Sequence, residues 1–495
     1  MAKRDNPEIT VKRQTTLLCV NHRRVSWRED DCLRKRRERM KRKFEEIIDY
    51  IEDLQAQNQL KQGEKLPSIR EMATRFTCNK TTVIRAYKEL EFNHKVYSIP
   101  KGGYYLIEKK KRINDTSKTI NFTEVMPDTA LLPYLEFNHC INRAVDLHQD
   151  HLFTYTDPQG LLSLRKALVD HFIDHQIFAS EEQICITSGA QQALSILSKM
   201  PFPNGKKNIL VEQPTYSLFQ KIVELNGERV IGITRDFNGI DLNELERIFK
   251  YESIKFFYTI PRFHNPLGTS FSEKDKKRIV ALAEKYNVYI VEDDYLADID
   301  PNRNVLPAYY YDISGKVVYV KSFSKAFMPG IRLGAMVMNE ALKEEFLHHK
   351  KCSDLNTSVL AQGALEIFIN SGMYKKHINK ARVAYGKKMK CLRDCLQRIK
   401  HTEIEFLIPK TGFFVWIRLS QKIDCTKLIS RLKERNVYIS PPEKNYLNDS
   451  VNENSIGICI AKLSTDQIRT GIRILCEEVE LLSELPRVKS TNGEP

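Results

Sequence analysis

No run of about 18 apolar residues occurs in the chain, so no segment has the length and apolarity of a membrane-crossing helix. The N-terminus lacks the apolar stretch of a secretory signal, which makes the cytosol the expected location. Cysteine is present but unorganised. The eleven residues sit singly, the nearest pair is Cys391 and Cys395, and there is no C-x-x-C. That pattern argues against a disulfide framework and against a zinc site, so no metal is expected. No internal repeat and no low-complexity tract is visible. What remains is a chain of 495 residues, 42% of them apolar. It is too long for one ordinary domain and rich enough in apolar residues for a large core.

Charge is the first uneven feature. The chain carries a net +15. Residues 1–120 hold 29 basic and 17 acidic residues, so most of the excess lies at one end. A nucleic-acid-binding module on a near-neutral body fits that distribution, and so does a solvated basic tail. Residues 1–39, with the run Arg34 to Arg39, show no helical or strand period and read as a disordered basic arm or an extension. Met40, just before the first periodic segment, offers an alternative start of translation.

From Lys41 the pattern is helical, with Phe44, Ile47, Ile48, Ile51 and Leu54 on one stripe. Gly63 and Pro67 break it. Ser68 and Glu71 form a capping box for a second helix that buries Ile69, Met72, Ala73 and Phe76. After a short turn at Thr77 and Cys78, Asn79 caps a third helix with Val83, Ala86, Tyr87 and Leu90 inward. Two short alternating segments flank Lys101, Gly102 and Gly103 and predict a hairpin. The third helix leaves Lys80, Thr81, Thr82, Arg85 and Lys88 outward, as a helix entering the major groove requires. The hairpin tip at Lys101 is placed to reach a neighbouring groove. A three-helix domain that binds protein has the same pattern.

The stretch from Gly63 through Leu66, Pro67, Ser68 and Arg70, followed by Thr81, Thr82, Val83, Arg85, Ala86, Tyr87 and Leu90, resembles the winged helix of GntR-family regulators. That resemblance implies double-stranded operator DNA as partner. It places Ser68, Arg70, Thr81, Thr82, Arg85 and the wing glycine Gly102 at or near it.

Residues 109–120 read as a basic linker. Beyond them short apolar runs alternate with amphipathic helices, which predicts an α/β sheet of parallel strands. Polar groups collect just after several of those strands. Thr187, Ser188, Gly189, Ala190 and Gln191 follow the strand at 184–186 and open an apolar helix. Asn265, Pro266 and Gly268 lie beyond the strand 254–260. Glu292, Asp293, Asp294 and Tyr295 follow 288–291. Ser322, Ser324 and Lys325 follow 317–320, with Arg332 soon after. Each alone has an ordinary explanation: a turn, a helix cap, a surface lysine. Together and in order they supply what pyridoxal phosphate (PLP) needs. They offer a lysine for the aldehyde, a carboxylate for the pyridine nitrogen, donors for the ring oxygen, and a helix N-terminus with hydroxyls and an arginine for the phosphate.

This set, with Tyr155, Gly160, Arg165 and Tyr216, resembles the fold-type I, class I/II aminotransferases over about residues 121–485. The resemblance implies a Schiff base on Lys325, the catalytic residue, with Asp293 on the pyridine nitrogen and Asp294 as fallback. It puts Asn265 and Tyr295 on the ring oxygen. Ser188, Gly189, Ala190, Ser322, Ser324 and Arg332 hold the phosphate, and Tyr216 stacks on the ring. Tyr155 reaches the phosphate of the partner subunit in a homodimer. The two halves in this order look like the MocR/GabR subfamily of bacterial GntR regulators. The expected domains are an arm (1–39), a winged helix (40–108), a linker (109–120), a PLP domain (121–486) and a tail (487–495). Within the PLP domain, a small subdomain takes about 121–147 and 335–486.

Aminotransferases grip the substrate α-carboxylate with an arginine near the C-terminus. Gly457 stands at that place in Ile456–Ala461, and Lys462 is the nearest cation in sequence. A guanidinium–carboxylate pair is hard to replace. The expected function is therefore a DNA-binding regulator that senses PLP or an amine or amino-acid effector. The alternative is a working aminotransferase with an appended DNA-binding domain.

Overall fold

The structure, a computed structural model, describes residues 42–57, 59–60, 64–92, 95–99, 102–106, 119–302, 305–397, 403–447 and 453–484. The expected arm 1–39, Met40, Gly63, Lys101, the linker up to 118 and the tail 487–495 lie outside these residues. The chain divides into two compact units at Thr116 and Ser117.

The first unit contains α1 (Lys43–Ala56), α2 (Ile69–Arg75), α3 (Lys80–Phe92) and a hairpin of β1 (Val96–Ile99) and β2 (Gly103–Leu106). The periodic stripes close into one core of Ile47, Ile51, Met72, Val83, Ala86, Tyr87, Leu90, Val96 and Leu106. The capping box forms as its spacing requires: Glu71 N donates to Ser68 Oγ at 3.2 Å and Ser68 N to Glu71 Oε2 at 3.4 Å. Two features were not legible in sequence. The hairpin gains a third edge, because Leu66 N donates to the Tyr104 carbonyl (2.8 Å) and Leu106 N to that of Glu64 (2.9 Å). Gly103, beside the expected wing glycine Gly102, is the residue with left-handed backbone (φ +103°).

The second unit opens with β3 (Ile120–Asn121), so Ile120, the last residue of the expected linker, is already a strand. Its helices are α4 (Tyr134–Leu147), α5 (Leu162–Ile173), α6 (Ala190–Lys199), α7 (Ser217–Leu225), α8 (Leu242–Tyr251), α9 (Glu273–Lys285), α10 (Glu340–Asp354), α11 (Val359–Asn370), α12 (Met373–Leu396), α13 (Cys425–Glu434) and α14 (Thr465–Glu484). Eight strands make the main sheet: β4 (Ile184–Thr187), β5 (Asn208–Gln213), β6 (Val230–Asp236), β7 (Gly239–Ile240), β8 (Ile254–Thr259), β9 (Tyr289–Asp294), β10 (Val317–Ser322) and β11 (Gly334–Val337). Their order is β4-β11-β10-β9-β8-β5-β6-β7. The run from β10 to β6 is parallel, whereas β11 is antiparallel to both its neighbours and β7 to β6. Helices cover both faces, which is why the central strands are apolar throughout rather than alternating. One core holds Ile184, Val291 and Val320; the other holds Leu210, Phe257 and Ile290.

A smaller sheet of β12 (Ile404–Phe406), β13 (Phe414–Leu419) and β15 (Ser455–Cys459), with β14 (Val437–Tyr438) paired to β3, packs with α13 and α14 around a separate core. That core draws on Ile120, Phe122 and residues from Met389 to Leu482. It is narrower than the expected 121–147 plus 335–486. Phe137 and Ala144 of α4, Phe346 of α10, Phe368 of α11 and Tyr374 of α12 pack into the main core, and β11 belongs to the main sheet. The strands carrying the site also run longer than expected. β9 continues through Asp294 and β10 through Ser322, because Asp293 pairs with Val320 and Asp294 with Lys321.

Candidate functional site

Parallel strands that end together leave a crevice at their C-terminal edge, where polar side chains gather without disturbing the apolar centre. Here the ends of β9 and β10, the loop after β8 and the start of α6 surround a cavity of about 190 Å³. Its lining includes Ala190, Tyr216, Asn265, Asp293, Tyr295, Ser322, Ser324, Lys325 and Arg332. Nine of the twelve residues expected from sequence to serve the cofactor thus share one cavity.

Neighbouring residues of a strand face opposite sides, and that decides which aspartate faces the cavity. Asp294 turns from the cavity into an ion pair: Arg262 pairs with its Oδ2 and the Tyr319 hydroxyl donates to the same oxygen at 2.9 Å, while its Oδ1 has no hydrogen-bond partner among the described residues. Burial alone would raise its carboxyl, but Arg262 and Lys321 override that and hold it below the ordinary range. Asp293 faces the cavity with only one bond, from the Tyr258 hydroxyl to Oδ2 at 2.9 Å. Its Oδ1 is buried with no hydrogen-bond partner among the described residues. Burial pushes this carboxyl up to about 7, against the opposing Tyr258 bond.

Lys325 follows β10 and sends Nζ to the Val125 carbonyl at 2.7 Å. Burial lowers its ammonium pKa, and Arg332 adds to that while Cys459 and Asp293 oppose it. A lysine amine of depressed pKa is the more available nucleophile. At the α6 end, Gly189 has φ +81°, and a Cβ there would lie 2.8 Å from Arg332 Nη2. The glycine is what lets the guanidinium close over the helix start. Gly334 on β11 serves the same packing, since a Cβ on it would meet Ala190 N at 2.8 Å.

Several expected residues sit differently. Ser188 does not line the cavity; its hydroxyl donates to Asp354 at 3.0 Å and its N–H to Gln192 at 2.8 Å. Gln191, named in the strand-end run but not assigned to the cofactor, lines the cavity instead, with its Oε1 accepting from Arg332 at 3.4 Å. The Tyr295 hydroxyl, expected on a ring oxygen, donates to the Phe263 carbonyl at 2.5 Å. Tyr155 is 82% exposed and lines a different, wider cavity of about 680 Å³ with His148 and Asp157, apart from the Lys325 group.

The Asn265 loop stands on a buried network. Glu212 at the end of β5 accepts from Arg235 (2.5 Å), Thr259 Oγ1 (2.8 Å) and Ile260 N (3.1 Å), and lies 3.0 Å from His264 Nε2. Burial would raise Glu212, but Arg235 and His264 bring it down to about 2. A second network escaped sequence reasoning. His171 and His175, four apart on one face of α5 or just beyond it, point at Asp298 Oδ1 from 3.4 and 3.1 Å. Lys321 Nζ lies 2.5 Å from Asp298 Oδ2, so the carboxylate already has its counter-ion. The spacing of the two histidines was the available signal; the carboxylate that meets them is over a hundred residues away.

On the first unit, Ser68, Arg70, Lys80, Thr81, Arg85 and Lys88 are exposed and Thr82 and Gly102 half-buried. Arg85 is held with its guanidinium 4.3 Å from the Phe44 ring centroid.

Comparison with known proteins agrees with both halves. Residues 43–106 match the gntR family of bacterial regulatory proteins, and residues 128–475 match aminotransferase class I and II. The uncharacterized HTH-type transcriptional regulator YcxD of Bacillus subtilis (strain 168) is 42% identical over 88% of this chain and 99% of its own length. The HTH-type transcriptional regulator NorG of Staphylococcus aureus (strain USA300) is 26% identical over 82% of this chain and 98% of its own. Among solved structures, LysN, an α-aminoadipate aminotransferase from Thermus thermophilus complexed with N-(5'-phosphopyridoxyl)-L-leucine, has TM-score 0.67 at 25% identity over 74% of this chain and 93% of its own. A kynurenine aminotransferase of Pyrococcus horikoshii has TM-score 0.68 at 26% identity over 74% of this chain and 92% of its own. The chain belongs to the gntR-type transcription regulators that carry a class I and II aminotransferase domain, the MocR/GabR architecture.

That fold class implies PLP, and the residues present fit it. The buried, unpartnered Oδ1 of Asp293 is an acceptor awaiting a donor, and Asn265 brings a side-chain amide, able to donate, to the same cavity. The missing side chain at Gly189 brings the Arg332 guanidinium to the start of α6, which sets a cation beside a helix N-terminus as a phosphate requires. No helix among the described residues is long and apolar enough to cross a membrane.

Proposed function

We propose that this DNA-binding regulator carries PLP on Lys325 and reads the presence of the cofactor, or of an amine that reaches it, as its signal. The observation that carries this is Asp293. A carboxylate buried beside Lys325 with one oxygen unsatisfied costs stability unless a ligand uses it. Asp293 would accept from the pyridine nitrogen and so hold it protonated, and Asn265 would donate to the ring oxygen. Tyr216 would cover the ring. Gly189, Ala190, Gln191, Ser322, Ser324 and Arg332 would hold the phosphate. When bound, the cofactor supplies an electrophilic carbon and an electron sink; Lys325 supplies the amine and the proton-transfer group. The exposed Tyr155 suits a homodimer in which it serves the partner's site. An effector that favours one dimer arrangement over another then changes DNA affinity through that difference alone.

The first test is the visible absorption of purified protein with added PLP, beside Lys325→Ala. A band from the lysine-bound cofactor is expected in the parent and absent in the variant; no band in the parent overturns the reading. For DNA, we assign contacts to Ser68, Arg70, Lys80, Thr81, Thr82, Arg85, Lys101 and Gly102. Genomic fragments selected by binding should show affinity that falls steeply with salt. Arg85→Ala should weaken binding by about 1–3 kcal/mol while leaving the cofactor band intact. Equal affinity at fixed salt overturns that assignment.

A further inference from the structure

A second cavity, of about 310 Å³, lies in front of Lys325 and shares Tyr216, Leu218, Asn265 and Lys325 with the first. With the first cavity assigned to the cofactor, this is the other space lined by Lys325 among the described residues. Its wall is built by β13 and β15, where Trp416 and Gly457 are directly paired. Paired residues of an antiparallel ladder share a face, so the side chain of 457 would stand beside that of 416. The indole takes that space: a Cβ on Gly457 would lie 2.9 Å from Trp416 Cζ3 and 3.2 Å from Cε3. Trp416 is fully buried and its Nε1 donates to Glu453 at 3.3 Å, which holds the ring in place. Gly457 is therefore more than a lost arginine. The wall is rebuilt as a flat aromatic surface that leaves no room for one.

The other charges set the rest of the specificity. Lys462 pairs with Glu124 at 2.6 Å and does not line the cavity. Lys325 and the exposed Lys444 are the cations among its lining residues, and no carboxylate is among them. An α-carboxylate held beside the Lys325 end would be desolvated against the indole without a guanidinium partner. A second ammonium would find no counter-charge. Phe122, Val125, Phe414 and Trp416 offer apolar and aromatic contact instead.

We infer that this cavity takes a primary monoamine with an apolar or aromatic body and no α-carboxylate, in preference to α-amino acids and diamines. The inference rests on the proposal that Lys325 carries the cofactor, and the experiment separates the two. PLP-loaded full-length protein is titrated with 2-phenylethylamine, with phenylalanine, which differs from it by the α-carboxylate alone, and with cadaverine, while the cofactor's absorption band and tryptophan fluorescence are followed. Half-saturation by 2-phenylethylamine is expected at a concentration at least tenfold below that of either competitor. Phenylalanine or cadaverine binding as well as 2-phenylethylamine overturns the inference, and so does a band that none of them shifts. A band that never forms with PLP overturns the underlying reading and this one with it. Gly457→Arg combined with Trp416→Leu reopens the space and is expected to reverse the preference between the first two ligands. Trp416→Phe, which keeps an aromatic wall, is expected to retain it and serves as the folding control.

Discussion

Asp293 and Asp294 are the same residue type, one peptide apart on one strand, both buried, and they have opposite surroundings. Asp294 is ion-paired with Arg262 and accepts from the Tyr319 hydroxyl, and its carboxyl is held below the ordinary range. Asp293 has one hydroxyl bond, no ion pair among the described residues and a carboxyl raised to about 7, although each aspartate leaves its Oδ1 without a hydrogen bond. The difference arises in the neighbours, since burial is the leading cause acting on each. One face of β9 meets cations and hydroxyls that complete an ion pair; the other meets a cavity. A buried carboxylate with its counter-ion builds the scaffold, and one without a counter-ion that opens on a cavity marks where a ligand belongs.

Breaking the ion-paired side should have the largest effect. Arg262→Ala leaves Asp294 buried without its cation and should cost about 3–5 kcal/mol of stability, read as a lower denaturation midpoint. On the open side the sign reverses. Because the folded-state carboxyl of Asp293 titrates near 7, above its ordinary value, the folded protein holds a proton there that the unfolded chain releases. The contribution of Asp293 to the stability of the ligand-free protein should therefore fall as pH rises from about 4 to 7, read as the difference between parent and Asp293→Asn because His175 and His264, lowered to about 4, act in the opposite sense over that range. Asp293→Asn should be more stable than the ligand-free parent by roughly 1–3 kcal/mol at pH 8, with little difference at pH 4. The same variant should lose tight PLP binding. A variant less stable than parent at pH 8 would mean Asp293 is satisfied by something other than a ligand. Gly189→Ala should cost about 1 kcal/mol in backbone strain at its positive φ. It should also speed the loss of cofactor on dialysis by displacing Arg332. Tyr258→Phe sharpens the comparison with the smallest change. Removing the one bond to Asp293 should cost about 1 kcal/mol at pH 8 and move the titration of the ligand-free protein upward.

Much of this site was legible because it is built from strand ends. Asn265, Asp293, Lys325 and Arg332 each follow or close a recognisable apolar run, and the sheet brings such ends together whatever the intervening helices do. The winged unit was legible for a related reason: Ser68 with Glu71, and Val83 through Leu90, are signals within a few residues of each other. Side-chain partners across long separations were not legible. Ser188 reads as a phosphate ligand until Asp354 takes its hydroxyl. Tyr295 reads as a donor to the cofactor until the Phe263 carbonyl accepts from it. His171 and His175 carry no message without Asp298. The small subdomain read too large because α4, α10 and α11 follow the main core although the chain around them runs on to the smaller sheet.

The sequence by itself determined the two-part organisation, the strand-end positions of the polar groups and the glycine at 457, because periodicity and local motifs need only neighbouring residues. Tertiary structure decided which aspartate faces the cavity, which serine is spent elsewhere and what fills the space beside Gly457. Each of those depends on contacts between residues far apart in the chain, as when β13 lays Trp416 against β15.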